Sequence, residues 1–179
     1  NTTADELDGG QSITDPSQAG DYLSFTEAIW IAANRGTPHN IYFDAEVFPA
    51  ATPGVIAIRD VAVMPASGAA VCIDGRHRGV ILDYRPTDSA TTVCGGGSDP
   101  TVACLVALHD GSMVVGLAFR GGALQVSGST IAGCYVEGSD WWNAIVDEAV
   151  VGPGNVFVGA GFAFPFVSDF GPGGTHVHD

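Results

Sequence analysis

Three residues able to bind or move charge fall at one position of an internal repeat. They are Asp74, Arg120 and Glu137, each directly before a glycine. Stacked one strand apart, at roughly 4.8 Å, an Asp–Arg–Glu ladder has the groups to hold calcium, to bind a uronate or to activate a proton. The same residues also make an ordinary surface ion-pair ladder, which relieves like-charge stacking and contributes little energy. Asp83 and Asp147 form a second carboxylate pair, with Val126 in the coil between them. A skipped coil would bring them near the separation used by inverting glycosidases, although two aspartates at strand ends also arise by chance. His176 and His178 stand beside Asp179, a donor set that suits zinc or copper, but a glycine-rich tail preorganises it poorly. Candidate metal ligands are thus Asp74, Glu137, His176 and His178. Arg76-His77-Arg78 is the one local basic patch that a polyanionic substrate could use. His77 and His109 otherwise read as surface turn residues. No nucleophile-elbow, zinc-protease, phosphate-loop or calcium-loop signature occurs, so the reading leans away from an enzyme.

The repeat that would position these groups is short. Residues 110–121 overlay on 127–138, seventeen residues on, and again on a stretch starting at Pro153, twenty-six further. A partial copy, Val71-Cys72-Ile73-Asp74-Gly75, matches Leu117 through Gly121. The overlay places Val114, Ile131 and Phe157 in one apolar column. Leu117, Cys134 and Ala160 form another, with Val71 above, and Phe119, Val136 and Phe162 a third, with Ile73 above. Ala118, Tyr135 and Cys72 alternate outward. Gly116, Gly133 and Gly159 mark bends, and Ser112, Ser129 and Asn155 form a polar column after a turn glycine. A unit this small cannot enclose its own core and must stack on its neighbours, which predicts a solenoid. Seventeen residues are too few for a helical repeat, and the Val, Ile, Thr and Gly content favours strands. An ordinary β-sandwich is the competing architecture.

The 179 residues suit one domain, and 46% hydrophobic content supplies a core. No apolar run is long enough for a membrane span. Twenty acids against six bases give a net charge of −14, which excludes nucleic acid as a partner and permits divalent cations. Cys94 and Cys104 flank a glycine-rich excursion, where a disulfide would contribute ~2–3 kcal/mol by closing the loop. Cys72 points outward and Cys134 inward, which opposes their pairing and makes Cys134 a small core filler. The chain opens on Asn1 in a polar stretch and reads as the mature part of a secreted protein or as an excised fragment.

Along the chain, residues 1–20 form an extended or loosely ordered lead-in. Ser24-Phe25-Thr26-Glu27 is a capping box that opens a helix over 24–34, ended by Gly36 and Pro38. Phe25, Ile29 and Ala32 share one of its faces, with Ala28 beside them, and must cover something apolar, here the open end of the stack. Strands follow from Ile41 onward within a domain spanning 21–166. An inserted loop at 84–103 interrupts them, and 167–179 is expected as a flexible tail.

The order of parts resembles the start of secreted right-handed parallel β-helix proteins of the pectin-lyase-like superfamily. In particular it is similar to bacterial surface proteins with a Cys-Ser-Leu-Arg-Glu-Ala motif. The residues carrying the likeness are Leu23 through Ile29, then Ala33-Asn34, Ile41 through Asp44 and Val71 through Gly75. Ser24, Glu27 and Ala28 are kept, whereas Leu23, Phe25 and Thr26 depart from the motif. The resemblance implies a secreted or cell-surface location and a helix-capped first coil. It also implies that any lyase or hydrolase activity would use carboxylates on an exposed strand face, with or without calcium.

The expectation is therefore an all-β, right-handed parallel β-helix of about five coils. It would act as an extracellular structural or adhesive module with no required cofactor. The alternative is a polysaccharide lyase, glycoside hydrolase or glycan binder. Phe162, Phe164 and Phe166 lie where another copy or further chain would meet the last coil.

Overall fold

The computed structural model describes residues 3–4, 8–10, 12–58, 62–63, 69–84, 104–108, 111–121, 123–137, 144–158, 163–170 and 176–178. These are mostly strand, with one α-helix, α1 (Phe25–Arg35), and a 3-10 turn at Pro16–Gln18. The strands are β1 (His39–Tyr42), β2 (Gly54–Ile58), β3 (Ala62–Val63), β4 (Val71–Asp74) and β5 (Val80–Tyr84). Next come β6 (Cys104–Leu108), β7 (Met113–Val115), β8 (Ala118–Arg120), β9 (Ala123–Ser127) and β10 (Thr130–Ala132). The last are β11 (Tyr135–Glu137), β12 (Ala144–Val151), β13 (Val156–Val158), β14 (Ala163–Phe170) and β15 (His176–His178).

All pairings among these strands are parallel. One sheet runs β2-β5-β8-β11-β13-β15. The other runs β1-β4-β7-β10-β12-β9-β6-β3, with β14 also on β12. Strand β12 serves both halves of this larger sheet. Its first residues pair with β9, and Val150 and Val151 pair with β10. The chain thus returns to the same three strand positions: β1-β2-β3, β4-β5-β6, β7-β8-β9, β10-β11-β12, then the end of β12 with β13 and β14.

Alternation along each strand decides what faces inward. In the smaller sheet Ile56, Leu82, Phe119, Val136 and Phe157 stand in register and are all buried. In the larger sheet Ile73, Val114, Ile131 and Val151 form the matching buried column. Each such side chain contributes about 1.5–3 kcal/mol on burial. Short corners join the columns. Gly116 and Gly133 take left-handed φ values of 68° and 60°, a conformation that side-chain-bearing residues avoid, and Leu117 and Cys134 after them turn inward and are buried.

The seventeen-residue overlay holds, since Val114 faces Ile131 and Phe119 faces Val136. Two other alignments are corrected. Phe157 stacks on Val136, while the Val114–Ile131 column continues to Val151. Ile73 stacks on Val114, not on Phe119. Asn155 accordingly leaves the column of Ser112 and Ser129. Corner length is the reason. Residues 116–117 and 133–134 turn in two, whereas 152–155 and 75–79 need four and five, so a fixed period assigns a strand beside each longer corner to the wrong sheet.

Helix α1 lies over the first round. Phe25, Ile29 and Ala32 belong to the main core with Phe43, Phe48 and Ile56, and the Phe25 and Phe43 rings stack at 6.1 Å. Its other side buries Ile31 against Ile13 and Ala19. Within the lead-in, Ile13 and Ala19 are thus held against the helix, while residues 14–18 stay exposed. Asn34 Nδ2 donates to the Ile13 carbonyl at 2.8 Å, and Arg35 pairs with Asp15 at 3.0 Å. Within the expected tail, the end of β14 and all of β15 are strand, with His176, Val177 and His178 in register with Val156, Phe157 and Val158. The expected inserted loop lies outside the described residues apart from Tyr84, the last residue of β5.

Candidate functional site

The structure separates the three residues of the expected ladder. Arg120 and Glu137 do stand opposite each other on β8 and β11, with Arg120 Nε 3.6 Å from Glu137 Oε2 and both side chains about half exposed. Tyr135 donates its hydroxyl to the same carboxylate oxygen at 3.4 Å. The residue opposite Arg120 on its other side is Asp83, not Asp74. The outward row thus reads Ala57, Asp83, Arg120, Glu137 and Val158, with His178 in backbone register beside Val158. Asp74 ends β4 on the larger sheet, opposite Val115. The expected Asp83–Asp147 pair is also split, because Asp147 lies on the larger sheet in register with Ser127.

Other expected positions are placed by backbone alone. His176 and His178 lie on β15, whereas Asp179 lies outside the described residues. Phe164 and Phe166 lie on β14, with Phe166 opposite Asp147, and Phe162 lies outside the described residues. Cys104 opens β6, while its expected disulfide partner Cys94 lies outside them. Cys72 and Cys134 are both free thiols. Burial pushes the Cys134 thiol up to about 11. Among the described residues no group of three or more His, Cys, Asp and Glu is placed to hold a metal.

Asp74 instead belongs to a second constellation. Tyr42 stands beside it in register on β1, and the five-residue corner 75–79 follows it. Together Tyr42, Phe43, Asp74, Arg76, His77 and Arg78 line a cavity of about 310 Å³. Asp74 takes both arms of Arg76, from Nε to Oδ1 at 3.0 Å and from Nη2 to Oδ2 at 2.6 Å, and its Oδ1 also accepts the Arg76 backbone N–H. These hydrogen bonds hold the Asp74 carboxyl below its ordinary range and raise the Arg76 guanidinium. Arg78 is fixed differently. Its Nε donates to the Phe43 carbonyl at 3.2 Å and its Nη1 to the His77 carbonyl at 2.9 Å, so among the described residues main-chain oxygens, not a carboxylate, hold it.

The corner that carries these groups is stiff. The Arg78 N–H closes a turn on the Gly75 carbonyl at 3.0 Å, and Gly54 N–H donates to the Gly79 carbonyl at 2.8 Å. A Cβ on Gly79 would lie 2.8 Å from the Pro49 carbonyl oxygen, so only glycine fits. His77 holds a φ of 61°, a left-handed conformation that costs a non-glycine residue about 1–3 kcal/mol. The basic triplet was visible in sequence, but its aromatic partner was not. The signal was the repeated phrase Ile41-Tyr42 over Ile73-Asp74, thirty-two residues apart.

A second cavity, of about 290 Å³, lies between α1 and the first round, lined mainly by apolar side chains such as Phe25, Ile31, Phe43 and Ile56. No protein-family model, curated protein or solved structure matches this chain.

Proposed function

We propose that the chain is a right-handed parallel β-helix module of an extracellular or cell-surface protein, structural or adhesive in role and not catalytic. The observation that carries this reading is the unbroken parallel register of β2, β5, β8, β11, β13 and β15. Its inward column is buried throughout Ile56, Leu82, Phe119, Val136 and Phe157, and its outward charges are paired along the row, Arg120 on Glu137. Such a stack makes a stiff rod whose sides are regular. Helix α1 covers one end. At the other, β15 ends the order of its sheet, and among the described residues its outer edge has no strand partner. An open edge of this kind takes up another strand, from a second copy or from further chain, which supports an assembling module.

The alternative, a carbohydrate-active protein, is favoured by one feature, the Asp83–Arg120–Glu137 row on an accessible strand face. An assay on acidic polysaccharides, with and without calcium, separates the two readings. Ultraviolet absorbance would report the unsaturated ends of a lyase, and reducing-end release would report a hydrolase. The module reading predicts no product. Turnover that disappears in a double variant, Arg120→Ala with Glu137→Ala, that keeps its fold would overturn it.

A further inference from the structure

We propose that the 75–79 corner and Tyr42 form a binding site for a singly charged oxyanion carried on a sugar ring, with Arg78 as the anion anchor and Tyr42 as the ring platform. The chain has 20 acids and six bases, every one of them arginine. A molecule so acidic repels anions at long range, so recognition of one needs a local surplus of positive charge. Two of the six arginines stand here within three residues. Arg76 is neutralised by the two-armed Asp74 clamp. Arg78 is held by the carbonyls of Phe43 and His77, which orient a guanidinium without cancelling its charge. Asp74, Arg76 and Arg78 together leave a surplus of one positive charge.

That surplus matches a carboxylate or a sulfate ester. A phosphate monoester, at about −1.5 to −2 near neutral pH, would remain under-neutralised. A guanidinium presents parallel donors to either oxyanion. Tyr42, on an outward position of β1, is 65% exposed. Tyr42 lines the same cavity, and a tyrosine ring offers a flat apolar face to the C–H side of a sugar. The cavity, about 310 Å³, stands at the small end of ligand sites and has room for one sugar unit. The stiff corner and the strained His77 mean that little ordering is left for binding to supply. The site lies within one copy, so it stands or falls separately from the assembly of the stack.

The test is a titration of the full chain with glucose 6-sulfate, glucuronate and neutral glucose, in about 20 mM salt to limit screening. Backbone amide shifts of Tyr42 and residues 74–79 give the reading. Movement of these amides with glucose 6-sulfate, with glucuronate or with both is expected, and which of them binds identifies the source of the oxyanion. Arg78→Gln and, separately, Tyr42→Ala should each weaken binding about tenfold, one good charged contact or stacking surface. Arg35→Gln, which removes the same charge elsewhere, should leave it unchanged. Both test positions are surface-accessible, and a dispersed amide spectrum verifies that each variant folds. The proposal is overturned if neither anion moves these amides, if neutral glucose binds as well as the anions, or if folded Arg78→Gln binds like the parent.

Discussion

Asn155 stitches a corner that a fixed repeat would not produce. It is fully buried, accepts the Cys134 N–H at 2.9 Å, and donates to the Ile131 and Gly152 carbonyls at 3.0 and 2.7 Å. Asn155→Ala would strand these main-chain groups away from water and should lower stability by about 2–4 kcal/mol in urea unfolding; a loss within error would deny the side chain this role. The Asp74–Arg76 clamp gives a pH signature. Because hydrogen bonding to Arg76 lowers the folded-state carboxyl, its contribution is complete above the unfolded value of about 3.9 and disappears as pH falls through the lowered one. Wild type should therefore lose more stability than Asp74→Asn on acidification below about pH 4. At the thiols, burial raises Cys134 to about 11; partial burial raises Cys72 too, but leaves it partly exposed. Native alkylation near neutral pH, mapped by peptide mass, should modify Cys72 well before Cys134, since the thiolate is the reactive form. Equal rates would show that Cys134 is not in the core.

At the scale of elements, α1 was legible because its signals are local. Ser24 Oγ accepts the Glu27 N–H at 3.2 Å, Glu27 Oε2 accepts the Ser24 N–H at 3.1 Å, and Gly36 closes the helix at a left-handed φ of 65°. The sequence did not reveal that Glu27 is fully buried and also accepts the Gly9 N–H at 3.2 Å, strapping the lead-in to the helix. Glu27→Ala removes the cap and the strap together. It should cost about 2–3 kcal/mol and admit protease into the lead-in before the rest of the chain, where parent-like resistance would contradict the strap. Strands β7, β8, β10 and β11 were equally legible, because two corners of equal length preserve their spacing. The ladder was misassembled because Asp74-Gly75 looks like Arg120-Gly121 in sequence, yet it stands before a five-residue corner on the other sheet. Strand β14 hides behind Pro165, which cannot donate to a ladder and is tolerated at edges and irregularities. Pro165 falls where the pairing with β12 shifts register, between Ile145 and Asp147.

Over the whole molecule, parallel strands stack with α1 over one end and β15 last in the order of its sheet at the other. A charge of −14 opposes close approach of copies at low salt, while an open parallel edge favours it. Salt should therefore promote association, and a proline at Val177, in the middle of β15, should block it by removing an edge donor. Light scattering of the purified chain across about a hundredfold range of concentration, at low and physiological salt, gives the mass directly. A weight-average mass that climbs above the 18.3 kDa of one chain, more so with salt, and returns to it in Val177→Pro is expected of an assembling module. A folded chain that stays at 18.3 kDa throughout would contradict the assembling module.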